Sequence, residues 1–326
     1  MIITRAPFRV SFCGGGSDLP SFYEKYGGCV LSTTIRKYVY LAINKAFLKD
    51  TITLKYSQTE VVNDPDKIQH RIFRQVLKDF GTTGIEITSI ADIPAGTGLG
   101  SSSSFTVALL KLMYTYNQQF ASNYKIAKEA CEIEINRLGN PIGKQDQFAA
   151  SFGGLRFYEF RPDGFVNIEP IVMHSSCYRY LESSMMMFYT GALHDANKIL
   201  DEQSRNVASQ NEKINATLRM CEMTRELKRH FEENDVDFLG ETLTQAWEIK
   251  KSLASGISSG LIDDCHRRGI EAGARGGKLL GAGGGGFLLF FVPEEENRKK
   301  VREALADLVE LPVELDNSGA SIIFTN

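Results

Sequence analysis

The sequence predicts an α+β protein of two units, on three observations. Residues 1–90 alternate short turns with runs of β-branched and aromatic residues, interrupted by one helical stretch. From about residue 195 to residue 230 the chain becomes helical, polar and free of glycine, a composition shift that suggests a second unit. The 326 residues, 43% hydrophobic and 24% charged, are about twice a typical domain and have ordinary globular composition, which excludes a disordered or fibrous chain.

Taken in order, strands are expected at 2–12, 38–43, 51–56 and 85–90. The interrupting helix spans 65–80, where Ile68, Ile72, Phe73, Val76, Leu77 and Phe80 recur at helical spacing. Helices follow at 101–116 and 122–138, then strands at 155–160 and 185–190. The second unit opens on the helical region 195–230 and continues with a helix at 239–253 around Trp247, the only tryptophan. A strand at 286–292 leads into a helix at 294–308, whose Glu294/Arg298, Glu295/Lys299 and Glu296/Lys300 pairs have the favourable i,i+4 order.

With 37 Lys+Arg against 40 Asp+Glu the net charge is −3, and no basic tail offers itself to a nucleic-acid backbone. The longest nearly uncharged apolar run, 279–292, is too short to span a bilayer, which takes about 20 residues. The opening residues read as a strand rather than a signal peptide, so a soluble cytoplasmic protein is expected. Six cysteines without a CxxC pair and five dispersed histidines indicate neither a disulfide scaffold nor a transition-metal site.

Chemistry concentrates in three glycine-rich segments, around Gly14-Gly15-Gly16-Ser17-Asp18, at Pro94-Ala95-Gly96-Thr97-Gly98-Leu99-Gly100-Ser101-Ser102-Ser103-Ser104, and around Gly283 and Gly284 within 281–286. Each alone reads most simply as a turn. The middle one feeds directly into an apolar helical face, and a glycine loop entering a helix N-terminus presents unpaired N–H groups and the positive end of the helix dipole to a phosphate. No lysine follows Gly100, which departs from a Walker loop, and no acidic residue stands about twenty positions on, which departs from a dinucleotide fingerprint. A phosphate loop of a third kind is left. Glu134 shares one face of its helix with Ala127, Ala130, Cys131 and Leu138, so it needs a cation, a salt bridge or a proton. Lys144 and Asp146 come at the start of a further apolar helical run, where Asp146 is either an N-cap or a proton acceptor for a hydroxyl nucleophile.

In this order the three segments resemble the motifs of the GHMP small-molecule kinases, the superfamily of galactokinase, homoserine kinase and mevalonate kinase. The resemblance implies a domain like the second domain of ribosomal protein S5 over 1–180 and a ferredoxin-like domain over 181–326, with the active site between them. It implies ATP and Mg²⁺ as cofactors, with 94–104 as the ATP-phosphate loop and Ser102 and Glu134 as the Mg²⁺ ligands. Asp146 matches the family's catalytic aspartate, Arg9 the arginine beside the transferred phosphate, and Asp18 the sugar-binding aspartate. Arg9 or Lys144 is expected to offset charge on the transferred group. The acceptor is expected against Gly15, Gly16, Ser17, Asp18, Thr190, Gly191, Gly283 and Gly284.

Glycines stand where galactokinases carry Gly-Glu-His, which speaks against galactose. The Gly-rich first motif, Gly143-Lys144-Gln145-Asp146-Gln147, and Tyr189-Thr190-Gly191 with His194 downstream are similar to bacterial D-glycero-D-manno-heptose 7-phosphate kinases. The implied reaction is phosphorylation of the anomeric O1 of a sugar phosphate, with L-fucose kinase as the runner-up and a sugar- and ATP-sensing paralogue as the non-enzymatic alternative. Arg36, Lys37, Arg179 and Arg205 are candidates for the acceptor's own phosphate. The partner is expected to be a small molecule, with neither nucleic acid nor membrane, and the protein a monomer or homodimer.

Overall fold

A computed structural model describes residues 1–191 and 196–326. Its architecture is α+β. Among the described residues the larger sheet has nine strands, with Ile2–Cys13 and the long Gly28–Lys45 at its centre, paired antiparallel. Gly28–Lys45 then pairs antiparallel with Ile85–Ala91, and that strand runs parallel to Ile52–Lys55. The smaller sheet is antiparallel throughout, in the order Val309–Leu311, Met185–Tyr189, Phe287–Phe291, Gly276–Leu279.

The chain after residue 181 is not confined to the smaller sheet. Leu315–Asp316 and Ser321–Thr325 return to the larger one, pairing with Gly28–Lys45 and Ile2–Cys13. A single core of buried residues crosses between the sheets. Phe8, Val10 and Phe12 of the first strand belong to the same cluster as Met187, Phe188, Trp247 and Phe290. The Phe12 and Phe231 rings meet edge to face at 6.1 Å, a geometry that adds to plain area burial. A fully buried aromatic of this kind stabilises by about 1.5–3 kcal/mol, so the two sheets hold one another through a shared core.

The helix Ser101–Tyr116 has the limits expected of it. The stretch 65–80 divides instead into a 3₁₀ turn, Pro65–Lys67, and a helix, Arg71–Phe80, because Asp64 and His70 each cap a new start by accepting a backbone N–H. The helix expected over 122–138 runs as α-helix through Asn123–Cys131 and widens into a π-helical turn at Glu132–Arg137. Of the three i,i+4 pairs in 294–308 the structure forms Glu296–Lys300, at 2.9 Å. Glu294 instead holds Arg275, and Arg298 donates to the carbonyls of Ser183, Val292 and Pro293, since both side chains find backbone or partners across the fold. Among the described residues no helix is long and apolar enough to cross a membrane.

Candidate active site

A cleft of about 310 Å³ opens where the three glycine-rich segments meet. The phosphate loop holds Gly96, Gly98 and Gly100 at φ values of +79°, +83° and +78°, a left-handed region that glycine enters at no steric cost. Gly96, Gly98, Gly100, Ser101, Ser102 and Ser103 line the cleft. The other loop residues fasten it. Thr97 Oγ1 donates to Pro94 O at 3.1 Å, Leu99 is buried with its carbonyl accepting from Arg9 N, and Ser104 Oγ donates to Pro7 O at 2.8 Å. Ala95 is exposed at the loop's outer edge. The helix that follows leaves its first-turn N–H groups without intrahelical acceptors, at the end where Ser101, Ser102 and Ser103 line the cleft.

Loop and third motif are in backbone contact. A Cβ on Gly281 would lie 2.4 Å from Gly98 Cα, and one on Gly98 would lie 2.6 Å from Leu280 O. Only glycine permits that approach, which sets the smaller sheet's loop directly against the phosphate loop.

Asp146 sits at the start of the helix Gln145–Phe152. Its carboxylate receives two charge-assisted hydrogen bonds from Arg9, Nε to Oδ1 at 2.7 Å and Nη2 to Oδ2 at 2.9 Å. Arg9 Nη1 donates to Gly98 O at 2.5 Å. One guanidinium therefore fixes the carboxylate against the phosphate loop, as a bidentate fork does where a lysine would not.

Glu134 is fully buried on the π-helical turn, a local widening often found at functional sites. It accepts from Ser102 Oγ at 2.7 Å and from Gln147 Nε2 at 2.9 Å. Burial raises its carboxyl above the ordinary value, against the lowering effect of those two hydrogen bonds. Its partners are neutral, so a buried negative charge stands here without a cation beside it. That arrangement fits a divalent ion. Among the described residues no three His, Cys, Asp or Glu side chains cluster to hold a metal by themselves. The Glu134 carboxylate with the Ser102 hydroxyl beside it suits Mg²⁺, which takes one or two protein groups together with phosphate oxygens.

Asp18 is buried and accepts from Gly16 N at 2.9 Å and Gln145 N at 3.1 Å. Burial raises its carboxyl, and the nearby Asp146 adds to the rise. Gly16 and Gly283 line the cleft, and Gly15 borders Lys250 and Gln145. Other expected acceptor contacts are placed differently. Ser17 Oγ is used inside its own turn, donating to Gly14 O or Cys29 O and accepting from Cys29 N. Thr190 ties its strand to the third motif through N and Oγ1 to Gly286 O, and Gly284 N donates to Ile257 O. Gly191 is exposed beyond the strand end, and His194 lies outside the described residues.

Lys144 is not in the cleft. Its ammonium lies 4.3 Å from the Tyr23 ring centroid and donates to Gly164 O at 3.2 Å, in a separate surface cavity of about 780 Å³. That cavity is the larger of the two, but it holds none of the glycine loops, Asp146 or Glu134. Arg36, Lys37, Arg179 and Arg205 also stand away from the cleft, with Arg36 beside Glu314 and Arg205 beside Asp201 on the surface.

Three polar side chains at or beside the cleft received no role from the sequence: Gln147, Gln203 and Lys250. All three are buried. The signal was present, because Lys250 continues the stripe of Leu243, Ala246 and Trp247, and Gln203 lies between Ile199 and Val207 at four-residue spacing.

Comparison with known proteins follows the same lines. The model of the GHMP kinases N terminal domain matches residues 67–154, and that of the GHMP kinases C terminal matches residues 223–310. The chain is 29% identical over 294 residues to a D-glycero-alpha-D-manno-heptose 7-phosphate kinase of Campylobacter jejuni, covering 86% of each. It is 26% identical over 341 residues to a bifunctional fucokinase/GDP-fucose pyrophosphorylase of Arabidopsis thaliana, covering 95% of this chain and 32% of that protein. Among solved structures it superimposes on a D-glycero-D-manno-heptose 1-phosphate kinase from Bacteroides thetaiotaomicron with a TM-score of 0.82 and 26% identity, over 100% of both chains.

Proposed function

The chain belongs to the GHMP kinases, phosphotransferases that use ATP with Mg²⁺, and from that premise we propose that this sugar kinase phosphorylates the anomeric O1 of D-glycero-D-manno-heptose 7-phosphate. The product is the 1,7-bisphosphate, a precursor for a GDP-activated heptose. The observation that carries the reading is Asp146, held by both arms of the Arg9 fork beside Gly98 and Gly100, with buried Asp18 accepting from the N–H of the preceding residue, Gln145.

Phosphoryl transfer asks a protein mainly for position and charge, because the group in flight needs little covalent help. The amides of 96–103 and the first turn of the following helix hold the phosphate chain. Ser102 and Glu134 would hold Mg²⁺, which when bound offsets charge on the phosphate oxygens. Asp146 accepts the proton of the O1 hydroxyl as the O1–phosphorus bond forms and the bond from phosphorus to the ADP oxygen breaks. An anomeric hydroxyl is more acidic than an ordinary alcohol, so a carboxylate is an adequate acceptor. Asp18, fixed by two backbone N–H donors, orients the sugar's hydroxyls. The protein acts in the cytoplasm on a small molecule, as a monomer or homodimer.

Similarity to the bifunctional fucokinase/GDP-fucose pyrophosphorylase of Arabidopsis favours L-fucose as the second acceptor to test. A sensing paralogue without transfer is the weaker reading, since Asp146 and Glu134 are both in place. The experiment is an ATP-consumption screen against heptose 7-phosphate, L-fucose, mannose, galactose, homoserine and mevalonate. Heptose 7-phosphate should give the highest kcat/KM. Turnover of fucose with none of the heptose would transfer the assignment to fucose.

A further inference from the structure

Lys250 presents a buried ammonium to the cleft, and among the described residues no carboxylate forms a salt bridge with it. Apart from Arg9 it is the one cationic side chain among the described residues that line the cleft. Its Nζ donates to Gly281 O, which uses one of three N–H bonds. Burial, with Lys278 and Arg9 nearby, lowers its affinity for a proton to about 7, and the weaker opposing pull of Asp18 and Asp146 does not cancel this. Lys278 itself is spent on the carbonyls of Ser11 and Phe12. Burial disfavours the ammonium, and an anion brought beside it would favour the charged form again.

The geometry says which anion. Gly281, which Lys250 holds, lies against Gly98 of the phosphate loop, and Gly98 O is the acceptor for Arg9. Lys250 thus stands at the seam where the phosphate loop meets the third motif, with its Nζ 3.9 Å from where a Cβ on Gly15 would be. Arg9, the cation the first motif supplies, is occupied by Asp146 through two of its nitrogens. The buried polar atoms nearby that lack partners among the described residues, Ser11 Oγ, Gln145 Oε1 and both amide atoms of Gln203, are neutral and suit sugar hydroxyls rather than a phosphate's charge.

We propose that Lys250 is a catalytic residue whose ammonium pairs with the terminal phosphoryl group of the nucleotide as that group passes to the acceptor. This rests on the phosphotransfer reading above and assigns it a charge that the motifs do not contain.

The test compares Lys250→Met and Lys250→Arg with the unmodified protein. Lys250→Met should lower kcat by about 10²–10³-fold, as loss of a donor aimed at developing charge does, with the acceptor KM within about threefold. By calorimetry with Mg²⁺, its affinity for the non-hydrolysable triphosphate AMPPNP should fall about tenfold while that for ADP is unchanged. Lys250→Arg should recover part of kcat and keep the preference for triphosphate over ADP. A raised acceptor KM with kcat intact would assign Lys250 to the acceptor's own phosphate and overturn the proposal, as would equal losses for AMPPNP and ADP. If the unmodified protein transfers to no sugar, the functional reading fails, while the AMPPNP and ADP affinities still decide the role of Lys250.

Discussion

Gly281→Ala tests whether contact between the two glycine loops sets the geometry of transfer. Gly281 has φ +76°, and its added Cβ would lie 2.4 Å from Gly98 Cα, 2.8 Å from Gly98 O and 3.0 Å from Gly98 C. Carbon atoms rest at about 3.5–4.0 Å, so the loops must separate by about 1 Å or more. Two costs follow. The left-handed backbone costs an alanine about 1–2 kcal/mol, and forced overpacking adds about 1–3 kcal/mol. Displacement moves Gly98 O away from Arg9, hence Asp146, and a misplacement of about 1 Å costs a reaction on the order of 10²-fold. Gly81→Ala is the matched control, since Gly81 has φ +57° with no atom within 4 Å of the new Cβ. It should lose only the backbone penalty and keep kcat. Steady-state kinetics and thermal melts of both variants decide the matter. A Gly281→Ala protein with unaltered kcat, or no less stable than Gly81→Ala, would refute the reasoning.

Asp146→Asn should lower kcat by about 10²–10⁴-fold with AMPPNP affinity within threefold, and near-normal turnover would remove the proton acceptor from the account. Glu134→Gln should raise the Mg²⁺ concentration needed for half-maximal rate by on the order of tenfold or more without lowering Tm. The new amide can be met by turning Gln147, whose Oε1 has no partner among the described residues. Burial holds the Lys278 ammonium at about 8, below its ordinary 10.5, so between those values the unfolded chain binds the additional proton. Stability attributable to Lys278 therefore rises with pH across that window. Relative to Lys278→Met, the unmodified protein should gain on the order of 2–3 kcal/mol from pH 8 to 10.5 in denaturant melts, and a flat difference would contradict this.

Much of the site was legible in sequence because its parts are local. The alternating glycines at 96, 98 and 100 before a serine-led helix state both a backbone conformation and a dipole, and the helix Ser101–Tyr116 begins where that reading put it. Glu134 on an apolar face announced a buried carboxylate. The ring of charge around the cleft was not legible, because it depends on which distant segments meet. Lys144 stands beside Asp146 in sequence but points the other way, since the helix starting at Gln145 sends successive side chains about 100° apart. Lys250 is more than a hundred residues from Asp146 and reaches the cleft from the end of the helix Phe238–Lys251, where its Nζ donates to Gly281 O. Of the surface pairs expected within 294–308, Glu296/Lys300 forms, whereas Glu294/Arg298 yielded to partners such as Arg275, which only tertiary packing supplies. Likewise the return of Leu315–Asp316 and Ser321–Thr325 to the first sheet leaves no mark in hydrophobic pattern, because a strand's alternation does not name its neighbour.

The most direct measurement is phosphorus and proton NMR of the product formed from ATP, Mg²⁺ and heptose 7-phosphate. The account predicts a new phosphorus resonance coupled to the anomeric proton, appearing in step with ADP. A phosphate on any other oxygen, or ADP released with inorganic phosphate and no new ester, would contradict it.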